Sequence, residues 1–432
     1  MSGSTHALSP LFTPASVAVI GASSDPDRIG GRVLRFLIEA GYQGRLYPVN
    51  RSGAAEIQGL PAFASITDVP GTVDQAIVLT PVAGVEVAIR DSIAKGVKCV
   101  LVLTAGFAEI GPEGRALQDR LRDMCRAAGV RMVGPNSLGM LNLDNRYFAT
   151  FSTVLYGLQP RKGRIALATQ SGAFGSCAYG MASLRGMGFS QIVATGNEAD
   201  VDVAECIDWF AQDPGTDVIC AALESCRDGR RLRAALLKAA AAGKPVLVMK
   251  VGRTELGAAA ASTHTGSLAG NDAAFDAVFA ECGALRPSSI EEMLDIAWFC
   301  AVTGRLPANN DMGVVTGSGG IGVLMADQAG ESGITMSPLM TGIIGLGVYS
   351  GAMASEIYRA GIEGIVDQFA HHGGWALDHF TRCNLANQHI GEFTNGSSGL
   401  GLAHPQIVGV PAPGLAPTLK GQKTGIIGPW TP

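Results

Sequence analysis

Charge is scarce in this sequence: Asp, Glu, Lys and Arg together make up 16% of its 432 residues, and the formal net charge is −5. No cluster of five or more Lys and Arg occurs, which argues against a nucleic-acid partner, because neutralising phosphates needs such a surface. No run of 18 apolar residues is free of polar breaks, so no membrane span is expected. The opening Met1-Ser2-Gly3-Ser4 lacks the positive stretch and apolar run of a secretory signal. The nine cysteines stand singly, without metal-ligand spacing, and several lie in apolar runs such as Val97-Lys98-Cys99-Val100 and Val218-Ile219-Cys220-Ala221. They read as buried free thiols of a reducing cytoplasm.

What is abundant is apolar side chain, at 47%, and glycine, at 58 residues. That mixture suits α/β units with fully apolar strands and tight strand–helix turns, and the length fits two or three domains. Ser16-Val17-Ala18-Val19-Ile20 is a β-branched run that stops at Gly21, and the segment through Gly30-Gly31 leads into a helical pattern from Arg32 to Ala40. This is a strand, a Gly-rich loop and a helix, with the unpaired amides of the helix start open to a phosphate. Further strands are expected at Arg45–Val49, ending in Asn50, and at Gln75–Leu79, ending in Thr80-Pro81. Two more are expected at Cys99–Leu103 and at Arg131–Val133, the last ending in Gly134-Pro135-Asn136-Ser137-Leu138-Gly139. Helical patterns at 83–95 and about 113–128 complete a βα alternation, hence a parallel sheet. The glycines of the first loop do not have the GxGxxG spacing, and Asn50 stands where a dinucleotide ribose would need an acid. NAD, another nucleotide-like phosphate ligand and a purely structural loop all remain open on chemistry alone.

Beyond a polar link at Leu158 to Gly163, a second doubly wound sheet is expected. Its units are a strand from Arg164 to Ala168 with a helix capped by Ser171, a strand at 191–194 with a helix at 202–211, and a strand at 217–223 with a helix at 229–241. A fourth strand, Pro245 to Met249, leads through four alanines, Ala258 to Ala261, into Ser262-Thr263-His264-Thr265-Gly266-Ser267-Leu268-Ala269-Gly270 and a helix from Asp272 to Glu281. His264 is flanked by small and hydroxylic residues, so a large anion can approach its ring. A neutral imidazole is a good nucleophile toward phosphorus near pH 7. Glu224, at a strand's carboxyl end in the same sheet, is the candidate to orient the second ring nitrogen. Two ordinary readings stand beside these: a surface loop histidine and a helix-start carboxylate.

Val19-Ile20-Gly21-Ala22-Ser23, Gly134 to Gly139, Thr169-Gln170-Ser171-Gly172, Thr195-Gly196-Asn197, Glu224, Gly252-Arg253 and the stretch Ser262 to Gly270 occur in one order. In this the chain resembles, from about residue 9 to 330, the nucleoside-diphosphate-forming acyl-CoA synthetases, a group that includes succinyl-CoA synthetase and ADP-forming acetyl-CoA synthetase. The resemblance implies a Rossmann-like CoA-binding domain over 1–145, a flavodoxin-like (succinyl-CoA synthetase-like) domain carrying the phosphohistidine over 160–305, and a partial or divergent second flavodoxin-like domain over 310–432. It implies that Gly21, Ala22, Ser23 and Gly30 surround the CoA phosphates, that Asn50 lies near the nucleotide half, and that Thr80 and Pro81 add CoA contacts. Asn136 and Ser137 would lie where thiol and acyl group arrive. Succinyl-CoA synthetases carry Pro-Asn-Cys-Pro-Gly at that stretch, and Ser137-Leu138 here points to the acetate and aryl-acid side. Ser171, Gly172, Gly196, Asn197, Thr265 and Gly266 would hold phosphate and substrate, Glu224 would bond to His264, and His264 would carry the phosphoryl group.

The implied reaction converts a carboxylic acid, ATP and CoA to acyl-CoA, ADP and phosphate. An adenine pocket, paired Mg2+-binding carboxylates and basic phosphate contacts are not recognisable in the sequence. ATP and Mg2+ are therefore expected on an ATP-grasp beta subunit or a further C-terminal part, in a dimer or heterotetramer in the cytoplasm. A non-catalytic CoA-binding regulatory or scaffold module is the alternative, against which the retention of His264 and Glu224 argues. The third region starts with a strand at Met312 to Thr316, the turn Gly317 to Gly322 and a helix containing Asp327. After about Ser337 the resemblance fails. Five of the seven histidines fall there, including His371-His372, which read as a solvated loop, and no metal site is expected.

Overall fold

The computed structural model describes residues 6–254, 257, 272–304, 311–312, 319–333 and 335–336. Two compact units divide between Ala308 and Asn309. In the first, a short helix α1 (Ser9–Phe12) precedes strand β1 (Ser16–Ile20), helix α2 (Ile29–Glu39) and strand β2 (Arg45–Val49). A small antiparallel pair, β3 (Glu56–Ile57) and β4 (Leu60–Pro61), leads to β5 (Gln75–Val78), helix α3 (Val82–Lys95), β6 (Cys99–Val102), helix α4 (Pro112–Ala127) and β7 (Arg131–Val133). The five longer strands form one parallel sheet in the order β2-β1-β5-β6-β7. Strands β1, β5 and β6 are buried throughout, which is why they read as unbroken apolar runs. The strand order reverses between β1 and β5, so the connections after those strands diverge to opposite faces and leave a crevice at their carboxyl ends.

The sequence reading places no strand between Val133 and Arg164, but the chain forms a hairpin there, β8 (Gly139–Asn142) and β9 (Tyr147–Thr150). This hairpin belongs to the second sheet, which the chain therefore enters before the Leu158–Gly163 link. The polar turn Asp144-Asn145-Arg146 supplies the reversal, with Arg146 at φ +56°. The next elements are β10 (Lys162–Thr169), helix α5 (Gly172–Leu184), β11 (Phe189–Ala194), helix α6 (Val203–Gln212), β12 (Val218–Leu223), helix α7 (Gly229–Ala241) and β13 (Val246–Lys250). Helices α8 (Asp272–Cys282) and α9 (Ile290–Thr303) close the unit. The sheet runs β13-β12-β10-β11-β8-β9, and β8 joins antiparallel to β11, so it is mixed rather than purely parallel. Side chains cap the helices: Ser171, as the sequence suggests, accepts from the Phe174 amide, and Asp202 accepts from Glu205, Asp228 from Arg230 and Arg231, and Ser289 from Glu292. All eight cysteines among the described residues are free, and six of them are buried.

One apolar core runs through both sheets, with Val17, Leu34 and Ile77 of the first in the same cluster as Ala166, Val193 and Phe210 of the second. An ion network crosses the same boundary. Arg131 on β7 donates from Nε to Asp200 (2.8 Å) and from its terminal nitrogen to both oxygens of Glu205 on α6 (2.9 and 3.0 Å). Asp200 also accepts from Arg126 (3.2 Å) and from the Met132 amide (3.0 Å). Burial alone would push the Asp200 carboxyl up, but these donors outweigh it and hold the carboxyl below the usual aspartate range.

In the second unit, β14 (Asp311–Met312) pairs parallel with β15 (Thr335–Met336), and helix α10 (Gly319–Glu331), which contains Asp327, lies between them in sequence. The expected strand at Met312 to Thr316 is described only at its start. His371-His372 and the whole tail after 337 lie outside the described residues. Among the described residues no helix is long and apolar enough to cross a membrane.

Replacing Asp200 by Ala leaves Arg131 paired with Glu205 alone and the buried Met132 amide without its acceptor, at a cost of about 2 kcal/mol. Urea denaturation at pH 7 should show that loss. Because the Asp200 pKa is lowered, the wild-type contribution is full above the ordinary aspartate range, and the difference between the two proteins should shrink as the pH falls below it.

Candidate active site

The crevice at the switch point of the first sheet has a volume of about 530 Å3 and is lined by Gly21, Asn50, Thr80, Pro81 and Gly84 among others. That size suits a cofactor-sized ligand. The Gly-rich loop is built by close backbone approach. Gly21 takes φ +96°, and a Cβ on Gly30 would lie 2.0 Å from the Gly21 carbonyl oxygen. Only two glycines let α2 start directly behind β1. Asn50 locks this loop: its Nδ2 donates to the Ala22 carbonyl (2.5 Å), and its Oδ1 accepts from the Ser52 amide (2.8 Å). Gln58 donates to the carbonyls of Ser23 (2.9 Å) and Gly31 (3.0 Å), and Ser23 Oγ accepts from the Asp25 amide (3.1 Å). The buried hydroxyl of Thr80 has no partner among the described residues. A roomy cleft beside a cradle that no Cβ could enter, with an unpartnered hydroxyl just beneath its wall, fits a polar ligand such as the phosphate-bearing part of CoA.

From Thr80 a line of hydrogen bonds follows the carboxyl edge of the sheet. Thr104 Oγ1 donates to the Thr80 carbonyl (2.7 Å), and the Asn136 amide donates to the Thr104 carbonyl (2.9 Å). Here the two sheets meet. The Asn197 amide donates to the Pro135 carbonyl (2.9 Å), the Ala199 amide to Gly134 (3.0 Å) and the Val201 amide to Met132 (3.0 Å). Gly196, at φ +63°, could not carry a side chain, since a Cβ would lie 2.4 Å from the Pro135 oxygen. Asn136 is exposed and donates to Asn197 Oδ1 (3.3 Å). The other sequence-selected polar groups here are already engaged. Ser137 is buried, donates to the Ala194 carbonyl (2.5 Å) and accepts from the Gly139 amide (2.9 Å). Asn197 Nδ2 donates to Glu109 (2.5 Å) and Gln118 (2.9 Å) of the first domain.

Beyond this junction a network joins the Thr169 to Gly172 and Thr195 to Asn197 loops to Glu224, through two side chains given no role in the sequence reading, Gln170 and Glu198. Gln170, at the end of β10, donates from Nε2 to Glu198 (2.5 Å) and to the Ser225 carbonyl (2.8 Å). Its Oε1 accepts from the amides of Glu224 (2.7 Å) and Ser225 (3.0 Å). Glu198, at φ +53°, also accepts from Thr195 Oγ1 (3.0 Å) and the Val203 amide (2.8 Å). Burial, reinforced by the charge of Asp202, pushes the Glu198 carboxyl up to about 7 against these three donors. A signal for Gln170 was present in the sequence, because it immediately precedes the helix-capping Ser171 at a strand's carboxyl end.

Glu224 is buried directly after β12, and Leu223 is in register with Lys250 at the end of β13. The Lys250 ammonium lies 5.2 Å from the centre of the Phe275 ring. Burial pushes its pKa down, and the carboxylates of Asp272 and Glu224 act against that shift. The chain thus leaves the sheet beside Glu224 at Val251 and returns at Asp272. His264, Thr265 and Gly266, on the segment between, lie outside the described residues. The structure therefore assembles Gly21, Asn50, Thr80 and Pro81 in one crevice, and Asn136, Gly196, Asn197, Ser171 and Glu224 along the junction that continues from it.

Residues 15–142 match the family model for a CoA binding domain, and residues 162–300 that for a succinyl-CoA ligase like flavodoxin domain. The chain is 38% identical over 331 residues to the acetate–CoA ligase [ADP-forming] I subunit alpha of Pyrococcus furiosus, covering 76% of this chain and 70% of that one. It is 33% identical over 327 residues to a trans-feruloyl-CoA synthase from an unknown prokaryotic organism, covering 46% of that protein. Among solved structures, an acetyl-coenzyme A synthetase 1 of Ca. Korarchaeum cryptofilum in complex with phosphate and ADP superposes with a TM-score of 0.71 at 36% identity, over 76% of this chain and 70% of that chain.

The raised Glu198 pKa has a measurable consequence. The folded chain keeps this proton up to about pH 7, whereas an exposed glutamate loses it near 4.3. Stability from that proton is full below the exposed value and is lost as the pH rises through about 7. The urea midpoint should therefore fall between pH 5 and pH 8 by the equivalent of up to about 3 kcal/mol, and Glu198→Gln should remove that slope.

Proposed function

This chain belongs to the nucleoside-diphosphate-forming acyl-CoA synthetases, and from that premise we propose that it is the CoA-binding and phosphoryl-carrying part of an acid–CoA ligase acting with an ATP-grasp part. The substrates are a carboxylic acid, ATP and CoA, and the products are acyl-CoA, ADP and phosphate. The observation that carries this reading is the position of Glu224, buried at the sheet edge where the chain departs toward His264. CoA lies in the crevice of the first domain, with Gly21, Ala22, Ser23 and Gly30 at its phosphates and Thr80 and Pro81 on its wall. Asn50 acts by holding the loop, since both ends of its amide are bonded to backbone.

His264 attacks the terminal phosphorus of ATP held by the ATP-grasp part, with the Mg2+ that accompanies the nucleotide. An N–P bond forms, and the bridging P–O bond breaks with ADP as leaving group. Glu224 holds the other ring nitrogen's proton and stabilises the positive charge on the ring. The acid's carboxylate then takes the phosphoryl group, the N–P bond breaks, and an acyl phosphate forms beside the amino end of α5, near Ser171 and Gly172. CoA thiolate attacks the acyl carbon and phosphate departs. Thr265 and Gly266 contact the phosphoryl oxygens, and Gly196 and Asn197 shape the far wall. The eight free thiols among the described residues support a reducing cytoplasm.

With the ATP-grasp partner and γ-labelled ATP, the chain should acquire acid-labile label at His264. His264→Asn should abolish it, and Glu224→Gln should slow labelling by at least about 100-fold. A folded wild-type protein that takes up no label would point instead to a CoA-binding module without catalysis.

A further inference from the structure

Between the β8–β9 hairpin and helix α5 lies a second cavity, of about 40 Å3, walled chiefly by Leu138, Met140, Val154, Leu155, Tyr179 and Ile192. The hydroxyls on its lining are hydrogen-bonded within the fold. Ser152 and Ser176 bond to each other (2.7 Å), Thr150 Oγ1 to the Leu138 carbonyl (2.7 Å), Thr169 Oγ1 to the Ser171 carbonyl (3.1 Å), and the Tyr179 hydroxyl to the Leu158 carbonyl (2.7 Å). The Ser152–Ser176 pair keeps one hydroxyl proton for a polar neighbour, but the rest of the wall is mainly hydrocarbon, so a charge entering this space would lose most of its hydration. The cavity is therefore suited to hydrocarbon.

Its position ties it to the candidate active site. Leu138 follows Ser137, Thr169 precedes Gln170, and Gly172 follows Ser171 at the start of α5, and all three line it. A carboxyl group near Ser171 and Gly172 would have this apolar space as its nearest room for a tail. The space is small. A water-sized group occupies about 10–15 Å3 on this measure, and benzene needs a cavity of about 150 Å3. One or two carbons fit, and an aromatic ring does not.

We propose that this cavity is the subsite for the acyl tail and that it restricts the acid to short unbranched aliphatic chains of two or three carbons. The proposal rests on the acid–CoA ligase reading. Val154 is the side chain whose truncation lengthens the space most simply, because it lies half-buried on the short turn at Thr153–Tyr156. Gly175→Ala has the opposite effect, since its Cβ would stand 3.0 Å from Thr169 Cγ2 inside the same wall.

The test uses the full chain with its ATP-grasp partner and follows CoA-dependent ADP release over acetate, propionate, butyrate, phenylacetate and cinnamate. Wild type should favour acetate and propionate over the aryl acids by at least about 100-fold in kcat/KM. Val154→Ala should raise butyrate relative to acetate by about 10-fold, and Gly175→Ala should lower propionate relative to acetate, with thermal melting confirming that both variants fold. Efficient wild-type turnover of phenylacetate or cinnamate, or an unaltered chain-length profile in both variants, would overturn the subsite while leaving the ligase intact. Absence of turnover with every acid would overturn the ligase reading itself, and the subsite with it.

Discussion

Three backbone hydrogen bonds, from Asn197 to Pro135, Ala199 to Gly134 and Val201 to Met132, hold the carboxyl edge of one sheet against that of the other. In an α/β sheet the loops after the strands are where ligands bind, because helices cover both faces and leave that edge open. A chain with two such sheets would ordinarily have two separate sites. Here hydrogen bonds link the two edges, from Thr80 through Thr104 to Asn136 in the first sheet, and from Glu198 through Gln170 to the Glu224 amide in the second. Chemistry that must bring a cofactor thiol to a phosphoryl carrier requires the edges to meet. Close approach is possible because Gly196 has no side chain and takes a backbone conformation costly for other residues.

Two buried carboxylates near this junction show how partners decide charge. Asp200 and Glu198 stand two residues apart, and both are almost inaccessible. Asp200 faces two guanidinium groups and is held ionised below its ordinary range. The side chain of Glu198 faces an amide, a hydroxyl and a backbone N–H, with Asp202 close by, and is pushed up to about 7. Neutral donors do not repay the loss of water as a guanidinium does. The first carboxylate fastens the domains together, and the second holds the Gln170 amide that positions the backbone at Glu224.

Most of the strands and helices of both sheets were readable because each obeys one simple local rule. Val17 to Ile20 and Val218 to Leu223 are apolar on both faces, and Ser171 caps the helix that follows its strand; the helix at Ile290–Thr303 was not anticipated. The β8–β9 hairpin was not readable. Its strands are four residues each, and the sheet partner of β8, β11, comes some fifty residues later in the chain. Tyr147 and Asn142 are buried because they touch Gln75 and the Phe12 carbonyl, contacts that no local pattern announces. In the same way, Ser137 and Asn197 read as ligand contacts by type, yet the fold spends their side chains on Ala194, Glu109 and Gln118.

The sequence by itself determined the alternation of strands and helices, the Gly-rich loop, and the small-residue frame around His264, since each depends on residues a few positions apart. The tertiary structure alone decided that the hairpin joins the second sheet, that two carboxyl edges are hydrogen-bonded together, and that Gln170 links Glu198 to Glu224. It also decided that a 40 Å3 apolar space lies beside Ser171. Those features arise where groups distant in sequence are brought within hydrogen-bonding or van der Waals range. Their energies depend on burial and on the identity of the neighbour, and neither is written in any single stretch of chain.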